Sequence, residues 1–255
     1  MKIGITERGD AGIDLSWESK LKYDAIDGAV LITKNITDRF REVVMRQYDA
    51  GKKIILHATC TGYGGTVIEP NVPEYRKQVD SLVQLVEAGF PIDNCVLRID
   101  PIIPTANGIK RALDVIAYAE EKGVIPGARI RISIYDEYKH VKERLKDAGI
   151  QPAYPGSQFQ ASTEQFRAVA EALIDTSHTF YTCAEPKLLR YGKGKIKASG
   201  CVSEQDFHIM GLEMPEDLLV NMQHRSGCLC LSCKTELLTR KAQCPHKCIY
   251  CYWKN

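Results

Sequence analysis

The chain has 255 residues, of which 44% are hydrophobic and 26% charged, with a formal net charge of +2 at pH 7. That length suits one large α/β domain or two small ones with a substantial core. The near-neutral charge names no partner, and no run of about 18 apolar residues is present to span a membrane. Ten cysteines make up about 4% of the chain, below the roughly 8–10% of a short secreted disulfide scaffold. The opening Met1-Lys2-Ile3-Gly4-Ile5-Thr6 lacks an apolar signal region, so a reducing cytoplasm is the expected compartment.

Taken in chain order, a β-branched run Ala29–Ile32 reads as a strand and Thr37 to Gly51 as a helix, with Phe40, Val43, Val44 and Tyr48 on one face. Thr37 is the expected cap and Gly51 the expected stop. Lys53 to His57 reads as the next strand. A helix marked by Val79, Leu82, Val83 and Val86 closes at Gly89, and Val96–Ile99 follows as a strand. A further helical stripe is Ile109, Ala112, Leu113 and Ile116. Arg129–Ile134 is a strand, and Tyr138, Val141, Leu145 and Ala148 mark a helix. Ser162-Thr163-Glu164-Gln165 forms a capping box for a helix at Phe166–Ile174, and Thr179–Cys183 is a strand.

Repeated βα units from residue 29 to residue 183 imply a parallel sheet, and their number favours a TIM-like barrel, with an open doubly wound sheet as the alternative. The expected organisation is a barrel over residues 1–226 and a cysteine-rich iron–sulfur segment, residues 227–255, packed on its rim. Polar residues stand just past the apolar part of each strand: Lys34, His57 with Thr59, Arg98 with Asp100, Ser133 with Asp136, and Cys183 with Glu185. Barrel active sites lie at these C-terminal strand ends, although ion pairs and caps account for such residues more often than catalysis does.

Cys228, Cys230, Cys233, Cys244, Cys248 and Cys251 all fall within residues 228–255, whereas Cys60, Cys95, Cys183 and Cys201 are scattered upstream. Cys244-Pro245-His246-Lys247-Cys248-Ile249-Tyr250-Cys251 is a Cys-x3-Cys-x2-Cys array with an aromatic residue before its last thiol. Three thiolates on a tight loop can hold three irons of a cubane and leave the fourth open to a small molecule. The competing reading is zinc, held by four of the late thiols.

This array resembles that of the radical S-adenosylmethionine superfamily, and the continuation Cys251-Tyr252 is similar to its spore photoproduct lyase branch, which acts on thymine lesions in DNA. The resemblance implies that Cys244, Cys248 and Cys251 ligate a [4Fe–4S] cluster whose open iron binds S-adenosylmethionine, with Tyr250 packed beside it. It also implies reductive cleavage to a 5′-deoxyadenosyl radical, hydrogen abstraction from a substrate, and a low-potential electron donor such as flavodoxin or ferredoxin. Gly62-Tyr63-Gly64-Gly65-Thr66-Val67-Ile68-Glu69-Pro70 resembles a stretched form of the superfamily's Gly-Gly-Glu-Pro element, which presents backbone groups to the methionine amine. On that basis Gly64, Gly65, Glu69, Tyr250 and Lys34 are candidate cofactor-binding residues. A glycine-rich turn without a ligand is an equal reading of the same stretch. Superfamily members place the cysteine loop after the first strand, so its place within a dozen residues of the end here implies a circularly permuted barrel.

The whole chain also resembles domain-of-unknown-function family 1848, through short stretches. These are Thr33-Lys34-Asn35, Thr61-Gly62-Tyr63 with Glu69-Pro70 and Pro73, Arg98 to Ile103, Ser133 with Asp136 and Tyr138, Cys183-Ala184-Glu185, Gly200-Cys201, and Cys228-Leu229-Cys230. Two departures stand out: a long spacer from Cys230 to Cys244, and Cys233 where serine is expected.

Cys183, Cys201, Cys228 and Cys230 are candidates for a second four-iron cluster, because four thiolates close such a site. The alternative is that Cys183 and Cys201 are small buried residues, as Cys60 and Cys95 are taken to be. Lys187, Arg190, Lys193, Lys195 and Lys197 form a basic loop expected beside the rim, which suits phosphate and a nucleotide or DNA substrate, or is a solvated loop. Arg98 can clamp a carboxylate or phosphate. Asp100 and Asp136 can bind ribose hydroxyls or move a proton, and Tyr63 can relay a hydrogen atom or stack on adenine. The expectation is a radical enzyme acting on a nucleobase, nucleotide or DNA. Its alternatives are a non-radical iron–sulfur or zinc-braced barrel that binds a ligand at its rim, and a barrel hydrolase or lyase using Arg98, Asp100 and Asp136.

Overall fold

β-branched runs that are buried along their whole length form the sheet, as in Gly28–Thr33 and Ile54–Thr59. A computed structural model describes residues 1–23, 25–216, 218, 227–238 and 244–252. Its strands are β1 (Ile3–Ile5), β2 (Gly28–Thr33), β3 (Lys53–Thr59), β4 (Cys95–Ile102), β5 (Arg129–Ile134), β6 (Phe180–Thr182), β7 (Ile196–Ala198) and β8 (Lys234–Glu236). Its helices are α1 (Trp17–Tyr23), α2 (Asp38–Asp49), α3 (Tyr75–Glu87), α4 (Ala106–Glu121), α5 (Lys139–Asp147), α6 (Thr163–Ile174), α7 (Pro186–Tyr191) and α8 (Glu204–Met210).

The result is an α/β fold on one eight-stranded sheet in the order β7-β6-β5-β4-β3-β2-β1-β8, with every pairing parallel. Each strand from β1 to β7 lies beside its sequence neighbour, and β8 returns to the free edge of β1, with Ile3 opposite Lys234 and Ile5 opposite Glu236. This sequential parallel order is consistent with both readings made from sequence, a TIM-like barrel and an open doubly wound sheet. The segment after residue 226 supplies this last strand, and Leu237 and Leu238 sink into the core beside it. The expected boundary between residues 226 and 227 falls at the edge of residues outside those described.

Alternate side chains divide between two cores, as the two-residue period of a strand requires. Ala29, Leu31, Ile54, Leu56 and Leu97 pack on the helices, against Phe40, Val43, Val44, Val79 and Leu82. Ile3, Ile5, Val30, Ile32, Ile55 and Val96 form the other core with Val202, Phe207, Met210 and Leu231. Helix α8 closes that second face at the N-terminal end of the strands, where Arg129 lies 2.8 Å from Asp206. Gly28 leaves room there for the Met210 side chain, whose sulfur a Cβ would meet at 2.7 Å.

Local signals behave as the sequence implies. The Thr37 hydroxyl accepts from the Phe40 N–H at 3.1 Å and Gly51 takes φ 82°. The Ser162–Gln165 capping box is complete. β1, β7 and β8 go unread from sequence because three residues carry too little periodicity. Among the described residues no helix is long and apolar enough to cross a membrane.

Candidate metal and cofactor site

The C-terminal edge of the sheet carries Lys34, Arg98, Asp100, Asp136 and Glu185, and the Cys244–Cys251 loop lies over it. Bonds from several elements pin the loop. The Ile249 N–H donates to the Ile68 carbonyl at 3.0 Å, and Asn71 Nδ2 donates to the Pro245 carbonyl at 2.7 Å. Arg144 donates to the Cys251 carbonyl at 2.6 Å, the His246 Nδ1–H to the Asn71 carbonyl at 3.0 Å, and His246 Nε2 lies 2.9 Å from Asp10. The same Asp10 carboxylate accepts from the Thr33 hydroxyl and the Lys34 N–H, each at 2.6 Å. Thus the array is built into the edge formed by β1, β2 and β3. Burial works against protonation of His246, but the bond and charge of Asp10 outweigh it and raise its pKa.

Beside the array, Lys34 Nζ reaches Glu69 at 2.8 Å and the Tyr250 hydroxyl at 2.7 Å, and Tyr250 itself donates to Glu69. The Thr61 hydroxyl donates to the other Glu69 oxygen at 2.6 Å. Glu69 is 1% exposed. Burial opposes its ionisation, yet the Lys34 charge and the bonds from Lys34, Thr61 and Tyr250 together hold its carboxyl below the usual range. Burial, and then Glu69, pushes Tyr250 far upward. The thiols of Cys244 and Cys248 are raised by burial, Cys248 to about 12, and both feel the Lys34 charge. They are protonated at neutral pH, so ligation there releases protons. The donor set fits a cluster: three sulfurs within electrostatic reach of one another beside a buried cation–anion pair that can receive charged ligand groups.

Further along the edge, Arg98 pairs with Asp100, and the Ser133 hydroxyl donates to the same carboxylate. Asp100 feels Lys34 on one side and Cys201 on the other. Below this pair His57 is wholly buried, and neither ring nitrogen has a hydrogen-bond partner among the described residues. Burial, reinforced by Arg131, Arg98 and Arg129, drives its pKa well below 6.5, so it is neutral. Thr59, Thr182 and the Nε of Arg131 are likewise buried and unpartnered.

The second cysteine group also comes together. Cys183 Sγ lies 3.8 Å from Cys228 Sγ and 3.9 Å from Cys230 Sγ, and the Cys201 N–H donates to Cys230 Sγ at 3.1 Å. Hydrogen bonds from Cys183 and Cys201 lower the pKa of Cys230, with the opposite effect on Cys183. This cluster can hold a metal or an iron–sulfur group. Cys233 stands outside it, half-buried beside the second core, its carbonyl accepting from Ile3 at 2.9 Å.

Other expected residues are used differently. The Tyr63 ring packs under Arg111, 4.9 Å away, and against α4 at Gly108, outside the Lys34–Glu69 network. The Gly65 N–H is taken by the Glu69 carbonyl at 3.1 Å, and Gly64 admits Pro73, whose oxygen a Cβ would meet at 1.9 Å. Asp136 follows β5, half-buried near Tyr154, and Glu185 accepts from the Ile134 N–H at 3.2 Å. The Lys193–Lys195 part of the basic loop is not beside the rim. Helix α7 carries the chain back to the start of β7, so Lys193 and Lys195 lie at the opposite end of the sheet, where the Phe180 N–H meets the Lys195 carbonyl at 2.8 Å. Lys195 Nζ caps the end of α6 through Ile174 and Thr176, each at 2.7 Å, and Lys187 sits over the Phe166 ring.

Asp10, His246 and Arg131 escaped the sequence reading. Asp10 follows a strand too short to recognise, and His246 was hidden as a spacer between cysteines. A family model described as Domain of unknown function (DUF1848) matches residues 14–253. No curated protein matches the chain.

Proposed function

The chain belongs to the DUF1848 family, and on that premise we propose that it is an iron–sulfur enzyme of the radical S-adenosylmethionine type, built on a βα barrel. The observation that carries this reading is the pinning of the Cys244–Cys251 loop beside the buried Lys34–Glu69–Tyr250 group. Cys244, Cys248 and Cys251 would hold a four-iron cluster and leave one iron for S-adenosylmethionine. Bound there, the pair supplies one-electron cleavage of a sulfonium and, through it, hydrogen abstraction from a substrate.

This chain's own residues bind and orient. Glu69 would offer a carboxylate to the methionine ammonium and Lys34 an ammonium to its carboxylate, while the hydroxyls of Tyr250 and Thr61 hold Glu69 in place. Arg98, fixed by Asp100, faces the substrate with a planar donor fork suited to phosphate or carboxylate. A nucleobase, nucleotide or DNA is the substrate class proposed, on the resemblance of the cysteine motif together with Arg98. The basic loop gives it no support.

Anaerobic reconstitution followed by iron and sulfide analysis and low-temperature electron paramagnetic resonance tests the proposal. The expected result is a cubane signal that changes on adding S-adenosylmethionine, with 5′-deoxyadenosine formed under a low-potential reductant. A chain that takes up no iron or sulfide overturns it. The competing reading, a metal-braced barrel with a hydrolytic or ligand-binding rim, rests on the Arg98–Asp100–Ser133 grouping. Activity surviving Cys251→Ala would favour that reading.

A further inference from the structure

We propose that Cys183, Cys201, Cys228 and Cys230 hold one tetrahedral divalent metal ion, zinc or iron, that fastens the β7 end of the sheet to the β8 end. This goes beyond the radical reading and does not rest on it.

Position is the first argument. Cys183 follows β6 and Cys201 follows β7, while Cys228 and Cys230 precede β8. Among the described residues no strand ladder joins β7 to β8, which stand at the two ends of the strand order. Across that gap the backbone supplies the bond from the Leu231 N–H to the Val202 carbonyl, 3.1 Å. Four thiolates on one ion would tie three strand ends at this gap.

Spacing is the second. Thiolates about 2.3 Å from a single ion in a tetrahedron stand about 3.8 Å apart. The observed Sγ separations from Cys183 are 3.8 and 3.9 Å. Thiolates on a cubane each bind a different iron, so an iron–iron edge adds to their separation. The protein carries its own comparison: Cys183, Cys228 and Cys230 have all their sulfurs within 4.8 Å of one another, and among the described residues Cys244, Cys248 and Cys251 do not form such a group. Cys201 stands next to this group, its backbone N–H donating to Cys230 Sγ at 3.1 Å, and is the fourth ligand of the proposal.

Construction is the third. A Cβ on Gly200 would stand 2.3 Å from the Leu229 carbonyl oxygen and 2.8 Å from the Cys230 Cα, so only glycine lets the two cysteine-bearing segments touch. Ala184, directly after Cys183, takes φ 59°, and Gly227, directly before Cys228, takes φ 78°. A left-handed alanine persists only where its surroundings over-determine it. The Cys201 N–H to Cys230 Sγ bond is the kind of outer contact that orients a ligand sulfur. Each thiol that ligates gives its proton to solvent.

The test uses the full chain carrying Cys244→Ala, Cys248→Ala and Cys251→Ala together, loaded separately with zinc, iron or cobalt. About one ion per chain without inorganic sulfide, lost again on adding Cys230→Ser, is the expected result. Four irons with matching sulfide, or no bound metal, overturns it. In the wild-type chain, hydrogen exchange before and after chelation reads the fastening without any variant. Protection at β7 and β8 is expected to fall about tenfold or more while β3 to β5 keep theirs. Unchanged protection at β7 and β8, or an equal loss in every strand, overturns the clasp. Neither readout needs S-adenosylmethionine, so failure here and failure of the radical reading are separable.

Discussion

The Tyr250 hydroxyl donates to Glu69, 181 positions earlier in the chain, and Lys34 bonds to both. The aromatic residue of the cysteine loop thereby becomes part of the sheet's C-terminal edge, and the three side chains form one buried charge group.

Removing the two partners of that group should cost different amounts. Glu69→Gln leaves Lys34 buried without its counter-charge, a loss of about 3–5 kcal/mol. Tyr250→Phe removes a hydroxyl bonded to a charged group, about 1.5–3 kcal/mol. Urea denaturation of both variants checks this. Equal losses would mean that Lys34 finds another partner.

Acid should destabilise the fold through His57. Its folded pKa lies well below the ordinary 6.5, so below about pH 6.5 the unfolded chain binds a proton that the folded chain refuses. Stability conferred by the neutral ring is full above that pH and falls by about 1.4 kcal/mol per pH unit beneath it. His57→Leu should lack this part of the slope below about pH 6.5. Parallel stability curves for the two proteins would refute the neutral assignment.

Two glycine replacements separate crowding from backbone strain. Gly200→Ala drives a methyl against Leu229 and should cost about 1–3 kcal/mol and lower metal retention at the four-thiol group. Gly51→Ala has φ 82° and nothing within 4 Å, so only left-handed strain of about 1–2 kcal/mol applies, with metal content unchanged. Thermal melts paired with metal analysis distinguish the two.

Cys60 and Cys95 should behave as inert packing. Both are buried, and burial pushes each thiol up to about 12. Alkylation of the native protein followed by mass spectrometry should leave them unmodified until denaturant is added. Cys95→Ala should leave metal content as in wild type.

Much of the frame could be read without coordinates where a signal is local. Thr37 as a cap, the Ser162–Gln165 box, and the strand Arg129–Ile134 all follow from residues within a few positions of one another. The second cysteine group was legible as a set because sulfur chemistry brings thiols together. Tyr63, Gly64 and Gly65 were legible as a turn, but their neighbours Arg111 and Pro73 were not.

Sequence alone determined the alternation of strand and helix and the cap positions, because periodicity and capping act over a turn or a strand. Tertiary structure decided the rest. It paired β8 with β1, drew Asp10 to His246 and Glu69 to Tyr250, and sent Lys193 and Lys195 to the far end of the sheet. Such meetings depend on how every intervening element packs, since a short strand or a single polar residue carries too little information to choose a partner two hundred positions away.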